Sequence, residues 1–110
     1  MSGVVQNQDS YMKGKIAQRW YYDRVGPALE DAFRVFGEKT GRKYGFVMPY
    51  RCEDAEFIIV GMGCYMETAK AVVEYLRGKG VNAGCLTVSV FRPFPAKDIV
   101  DALKDCRAFT

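Results

Sequence analysis

Gly61-Met62-Gly63-Cys64 stands directly after the apolar run Glu56-Phe57-Ile58-Ile59-Val60 and just before a stretch of helical periodicity that opens with Glu67. Glycines at such a point let a pyrophosphate approach backbone N–H groups at a helix N-terminus, so the spacing raises dinucleotide binding. The fingerprint is incomplete, because its third glycine would fall at Met66. The second strand also ends near Arg92, a cation, where an NAD site would want an acidic residue for the ribose hydroxyls. Gly61 and Gly63 are therefore read first as turn geometry. Cys64 raises a second chemistry, since a helix N-terminus stabilises a thiolate and can make it nucleophilic. The chain has no histidine to act as base and no resolving cysteine nearby, and small residues commonly occupy this kind of turn, so packing is the favoured reading. Glu67 either contacts a ligand or complements the helix dipole, and the second is favoured. Arg92, before Pro93, either holds a phosphate or makes a salt bridge that fixes the strand exit; both readings stay open. No carboxylate pair, nucleophile with base, or P-loop occurs, so no catalytic, cofactor-binding or metal-binding residue is assigned. Gly61, Gly63, Cys64, Glu67, Arg92 and Pro93 stand as structural turn candidates.

The elements that must position this turn form a βαβ unit from Ala55 to Pro95. Phe57 to Val60 is nearly continuous in apolar character, the pattern of a strand buried on both faces of a parallel sheet. From Glu67 to Lys79, Ala69, Val72, Val73 and Leu76 fall at i, i+3, i+4 and i+7, which predicts a helix with one apolar face. Acidic Glu67 in the first turn, and Arg77, Gly78, Lys79 and Gly80 at the end, suit the helix dipole and a C-cap. Leu86, Val88 and Val90 alternate with Cys85, Thr87 and Ser89 to predict the second strand, and Pro93 and Pro95 end it. A right-handed crossover makes the two strands parallel.

Upstream, residues 1–22 lack a clean period and read as an extended arm, although Tyr11, Met12, Ile16, Trp20, Tyr21 and Tyr22 carry more apolar surface than a bare linker. Asp23 reads as the N-cap of a connector helix within 23–41, with Leu29, Phe33 and Phe36 as its buried stripe and Gly41 at its exit. Tyr44 to Tyr50, stopped at Pro49, reads as an irregular or edge strand. Downstream, Pro95 opens another helix with Ile99, Ala102, Leu103 and Cys106 on one side. Arg107 to Thr110 begins a further strand with no room to complete it. The fold class expected is α/β, a partial doubly wound parallel sheet of βαβα plus the start of another strand. The sheet edges left uncovered suggest a piece of a longer protein.

With 110 residues, 49% of them hydrophobic, the chain can bury one small core. The net charge of +3 comes from basic residues scattered before Cys52, a solvated face rather than a nucleic-acid site, since no recognised binding motif surrounds them. No apolar run approaches a membrane span, and no signal peptide is visible, so a cytoplasmic location is expected. Cys52, Cys64, Cys85 and Cys106 are spaced too widely for a zinc ribbon or a ferredoxin cluster and read as free thiols.

A series of short blocks carries a further signal. Gln6-Asn7-Gln8-Asp9-Ser10-Tyr11, Tyr21-Tyr22, Thr40-Gly41-Arg42-Lys43-Tyr44, Asp54-Ala55-Glu56, Gly63 with Glu67-Thr68-Ala69, and Phe91-Arg92-Pro93-Phe94 follow one another in order. In that order and spacing they resemble the QNPDxY/F, connector, TGRxY, DAE, MGSxxET and RPF blocks of pyruvate:ferredoxin (flavodoxin) oxidoreductase, over the end of its first domain and much of its second. Gln8 departs from the family's usual proline, Cys64 from its usual serine, and Arg51-Cys52-Glu53 from a common glycine-alanine-proline. The serine-to-cysteine exchange keeps size and changes nucleophilicity, which supports packing at Cys64. The resemblance implies that residues 42–110 form a truncated domain like the C-terminal domain of transketolase. It further implies a role in assembly within an enzyme that oxidatively decarboxylates pyruvate with coenzyme A. Thiamine diphosphate and 4Fe–4S clusters are expected in the full enzyme but none bound by this segment, and no catalytic residue is carried over. The partners implied are the remaining domains, ferredoxin or flavodoxin, and a second copy in a homodimer, with no nucleic acid and no membrane. A related 2-oxoacid oxidoreductase, or a stand-alone α/β nucleotide-binding or adaptor module, is the alternative.

Overall fold

The computed structural model describes residues 7–110. In chain order the elements are α1 (Gln8–Tyr22), α2 (Val25–Thr40), β1 (Val47–Tyr50), β2 (Phe57–Gly61), α3 (Tyr65–Arg77), β3 (Ala83–Val88), α4 (Ala96–Leu103) and β4 (Ala108–Phe109). The strands form one sheet in the order β1-β3-β2-β4. β2 pairs parallel with β3 on one side and with β4 on the other, and β1 closes the far edge antiparallel to β3.

That order is doubly wound. The chain steps from β2 through α3 to β3, then returns through α4 past β2 to β4, so right-handed crossovers put the two helices on opposite faces. Packing agrees: Met66, Ala69 and Val73 of α3 lie on Ala83 and Cys85, whereas Ile99, Ala102 and Leu103 of α4 lie on Ile58 and Leu86. Cys85 and Leu86 are neighbours on β3, point to opposite faces and are both fully buried. β3 is thus the central covered strand, and it stops at Val88, since Ser89 and Val90 both donate their N–H to the Phe46 carbonyl.

Several expectations are corrected. From Gln8 onward the supposed extended arm is helix α1; residues 1–6 lie outside the described residues. Its apolar residues show no single stripe because the helix buries no single face, and Ile16, Trp20 and Tyr21 are all exposed. A segment with no proline and one β-branched residue, Ile16, between Ser10 and Tyr22 still coils. Asp23 caps the C-terminal end of α1 rather than opening α2: the Arg19 Nε one turn earlier donates to its carboxylate at 2.7 Å. The α2 stripe is only half covered, with Phe36 exposed; Phe33 meets Phe46 edge-on and Phe36 meets Tyr44. On α3, Met66 takes the inner position expected of Val72, which stays exposed. β1 runs through Pro49 instead of stopping there, as an edge strand allows, since the missing N–H is needed only on one side. The last strand does form: Thr110 N–H donates to the Ile58 carbonyl and Val60 N–H to the Thr110 carbonyl at 2.7 Å.

Candidate functional site

The β2–α3 turn lies at the carboxyl edge of the parallel strands, on β2, from which the strand order runs to β3 on one side and to β4 on the other. In open α/β sheets this reversal point is where ligands bind. Gly61 ends β2, and a Cβ there would lie 2.6 Å from the Met66 sulfur, so the turn closes over a methionine folded back beneath it. Gly63 has φ +73°, a left-handed conformation that glycine adopts without strain. Cys64 occupies the N-cap position of α3, exposed, and its side chain makes no capping hydrogen bond. The Met66 and Glu67 N–H groups donate to the Gly63 and Cys64 carbonyls at 3.2 Å, so the turn is internally bonded.

Glu67 sits in the first turn of α3 and accepts from the Lys70 ammonium at 2.7 Å, an i,i+3 pair beside the positive end of the helix. Arg92 does not join this group. Among the described residues it makes no ion pair, so the salt-bridge reading of the strand exit is not met; its guanidinium lies 5.9 Å from the Phe91 ring centre. Phe91 stacks edge-on with Phe94 across the Arg92–Pro93 peptide, which is cis. The structure therefore gathers Gly61, Gly63, Cys64 and Glu67 at one turn and leaves Arg92 and Pro93 as a separate corner.

A second group escaped sequence reasoning. Arg77, read from the sequence as a cation that suits the C-terminal end of the α3 dipole, has a side chain only 17% exposed. It donates through Nη2 and Nη1 to Asp54 at 2.6 and 3.1 Å, through Nε to the Ala83 carbonyl at 2.7 Å and through Nη2 to the Arg51 carbonyl at 2.9 Å. One turn earlier, Glu74 accepts from the Tyr50 hydroxyl at 2.8 Å and from Arg51 Nε at 3.0 Å. The Arg77 hydrogen bonds pull the Asp54 carboxyl below its ordinary range; Tyr50 and then Arg51 do the same for Glu74. These contacts tie the 51–54 loop to α3 and so hold β1, β2 and α3 in one frame. Apart from Ala83, six residues beyond Arg77, the partners are more than twenty residues apart, so no local spacing could have revealed them. Gly84 completes the crossing, since a Cβ there would meet the Arg51 carbonyl oxygen at 2.6 Å.

The thiols divide by burial. Burial pushes the Cys52 and Cys85 thiols up, and Cys52 Sγ donates to the Cys85 carbonyl at 3.3 Å, so both are held protonated. Among the described residues, no three His, Cys, Asp or Glu side chains converge in a way that could hold a metal ion. The cysteines face different surroundings, with Cys85 in the α3 layer, Cys52 and Cys106 in the α4 layer and Cys64 outside. That donor set does not fit an iron–sulfur cluster.

Residues 55–110, from the approach to β2 through β4, match the family described as pyruvate:ferredoxin oxidoreductase core domain II. The chain belongs to that family. It is 42% identical over 103 residues to the pyruvate synthase subunit PorA of Methanothermobacter thermautotrophicus, covering 94% of this chain and 27% of that protein. With PorA of Thermotoga maritima it shares 38% over 101 residues, covering 92% of this chain and 26% of the relative. The pyruvate-flavodoxin oxidoreductase of Nostoc is 32% identical over 103 residues, 94% of this chain and 9% of the relative. The chain thus spans about a quarter of the length of the first two relatives and about a tenth of the third. The family match begins at Ala55, just after the Asp54 carboxylate that Arg77 holds, and takes in β2, α3, β3, α4 and β4.

Proposed function

We propose that this chain is a structural and assembly segment of an oxidoreductase that oxidatively decarboxylates pyruvate with coenzyme A, giving acetyl-CoA and carbon dioxide and passing electrons to ferredoxin or flavodoxin. The observation that carries this reading is the match of residues 55–110 to core domain II. Relatives carrying the segment are named as pyruvate synthase subunits and as pyruvate-flavodoxin oxidoreductases. In this reading residues 42–110 form the transketolase C-terminal-like domain and 23–41 its connector. Thiamine diphosphate and the 4Fe–4S clusters belong to other parts of the enzyme, which acts as a homodimer in the cytoplasm. No helix among the described residues is long and apolar enough to cross a membrane.

The work of the segment follows from its build. Arg77 and Glu74 lock the 51–54 loop against α3, and the β2–α3 turn is stiffened by its own hydrogen bonds, so the sheet presents a firm surface rather than a reacting group. The test is a steady-state assay of the enzyme that carries this segment. Reduction of ferredoxin or flavodoxin that requires both pyruvate and coenzyme A is expected. Electron transfer driven only by a different 2-oxoacid, or none with any 2-oxoacid, would overturn the assignment.

A further inference from the structure

The amino-terminal edge of the sheet brings two thiols to one place. The Ala55 N–H donates to the Cys52 carbonyl at 3.4 Å, and the Arg107 N–H donates to the Glu56 carbonyl at 2.8 Å. Cys52 and the residue that follows Cys106 are therefore bonded to adjacent residues of one short segment. Both cysteine side chains pack on the same buried cluster, Ala55, Ile58 and Leu86, on the α4 side of the sheet. Neither is sealed in, since both are half-buried. The backbone at each is held: Arg77 grips the 51–54 loop through the Arg51 carbonyl and the Asp54 carboxylate, and the Cys106 N–H donates to the Leu103 carbonyl at 3.2 Å. Burial, and after it the charges of Glu53 and Cys106, push the Cys52 thiol up, as two acidic groups within electrostatic reach of one another do. The other two cysteines stand apart, with Cys85 in the α3 layer on the opposite face and Cys64 exposed at the carboxyl edge.

We propose that Cys52 and Cys106 form a redox clip, a site where a peroxide converts two free thiols into a reversible disulfide across the amino edge of the sheet. Cys106 reacts first, because the Cys52 thiol is occupied in donating to the Cys85 carbonyl. The Cys106 sulfur attacks one peroxide oxygen, the O–O bond breaks, and the departing oxygen leaves as water with the thiol proton, giving a sulfenic acid. The Cys52 sulfur then attacks that sulfenic sulfur; the S–S bond forms, the S–O bond breaks, and the hydroxyl leaves as a second water with the Cys52 proton. Two sulfurs lose two electrons in all, and the peroxide gains them. The new bond joins the 51–54 loop to the connection between α4 and β4. Arg77 already holds that loop from the α3 side, so oxidation fixes the entry to β2 from both faces. Closing so long a stretch of chain, from Cys52 to Cys106, restrains the unfolded state and raises stability. The clip does not depend on the activity proposed above.

The experiment is a disulfide map of the intact protein carrying this segment, fully reduced, then treated with hydrogen peroxide at neutral pH without denaturant. Remaining thiols are blocked with N-ethylmaleimide, and the protein is digested with trypsin and a glutamate-specific protease, which cuts between Cys52 and Cys64 at Glu53 and Glu56. Non-reducing mass spectrometry is expected to find the Cys52 and Cys106 peptides joined, lighter by two hydrogens than the separate pair and released by dithiothreitol. The oxidised protein should melt higher by on the order of 5 °C, and dithiothreitol should reverse the rise. Cys106→Ala should abolish both the link and the rise, while Cys64→Ser keeps both. The clip is overturned if Cys52 and Cys106 stay unlinked, as blocked thiols or as separate sulfinic acids, at a peroxide dose that oxidises the exposed Cys64. Pairing of Cys52 with Cys64 or Cys85 instead would overturn it as well, as would a rise in Tm that persists in Cys106→Ala. Should that variant fail to fold, the wild-type map alone decides.

Discussion

Arg77 holds Asp54 with both terminal nitrogens, at 2.6 and 3.1 Å, and from the same guanidinium reaches the carbonyls of Ala83 and Arg51. One side chain at the end of α3 thereby joins the start of β3 to the loop that enters β2. A planar fork with several fixed donors suits this task, and a lysine ammonium does not. Arg77→Ala should lower the melting temperature on the order of 5 °C, and Arg77→Lys should recover only part of that loss. Calorimetry on the three proteins checks the order; a lysine variant as stable as wild type would show that charge alone matters.

The same contact makes stability depend on pH with a definite sign. Arg77 holds the Asp54 carboxyl below its ordinary value in the folded chain, whereas the unfolded carboxyl titrates near about 4. The folded state therefore binds this proton less readily, so the contribution is complete above about pH 5 and fades as pH falls through the folded value. Asp54→Asn should lie below wild type in denaturant midpoint at pH 7 and approach it at pH 3. An equal gap at both pH values would contradict the assignment.

Two glycines separate backbone crowding from side-chain crowding. At Gly84 an added Cβ meets the Arg51 carbonyl oxygen at 2.6 Å and Ala55 Cβ at 3.0 Å, both on a loop pinned by Arg77. At Gly61 it meets only the Met66 side chain, at 2.6 Å from its sulfur. Each alanine substitution should cost about 1–3 kcal/mol, with Gly84→Ala the more severe because a methionine can change rotamer and a peptide carbonyl in a fixed loop cannot. Denaturant unfolding of both variants settles the order.

Cys64 tests whether the turn is scaffold or chemistry. Its thiol is exposed at the α3 N-cap and makes no capping bond. In the enzyme carrying this segment, Cys64→Ser should leave kcat for pyruvate oxidation within about threefold, where loss of a nucleophile would cost orders of magnitude. The companion Gly63→Val places a β-branched residue at φ +73°, with open space around the new Cβ. The cost of about 1–3 kcal/mol is then conformational and should appear in stability with kcat preserved. Collapse of turnover in Cys64→Ser with unchanged folding would reassign the cysteine to catalysis.

The sequence by itself determined the βαβ unit, its glycine turn, the parallel pairing of β2 with β3 and the ordered blocks that pointed to the family. Each is written in short-range pattern: an apolar run, an i, i+3, i+4, i+7 stripe, glycine at the exit, and a crossover whose hand is set by strand twist. Only the tertiary structure decided that α1 is helical, because a helix with no buried face leaves no stripe to read, and Tyr11 and Trp20 face outward with Ile16. The same holds for the inner position on α3: Met66 rather than Val72 is buried, because the sheet it meets is set by β2 and β3, not by the helix's own periodicity. The Arg77–Asp54 clamp and the close approach at Gly84 were invisible for a like reason. Their partners come from separate elements, and hydrogen bonds between distant residues leave no local spacing in the chain that forms them.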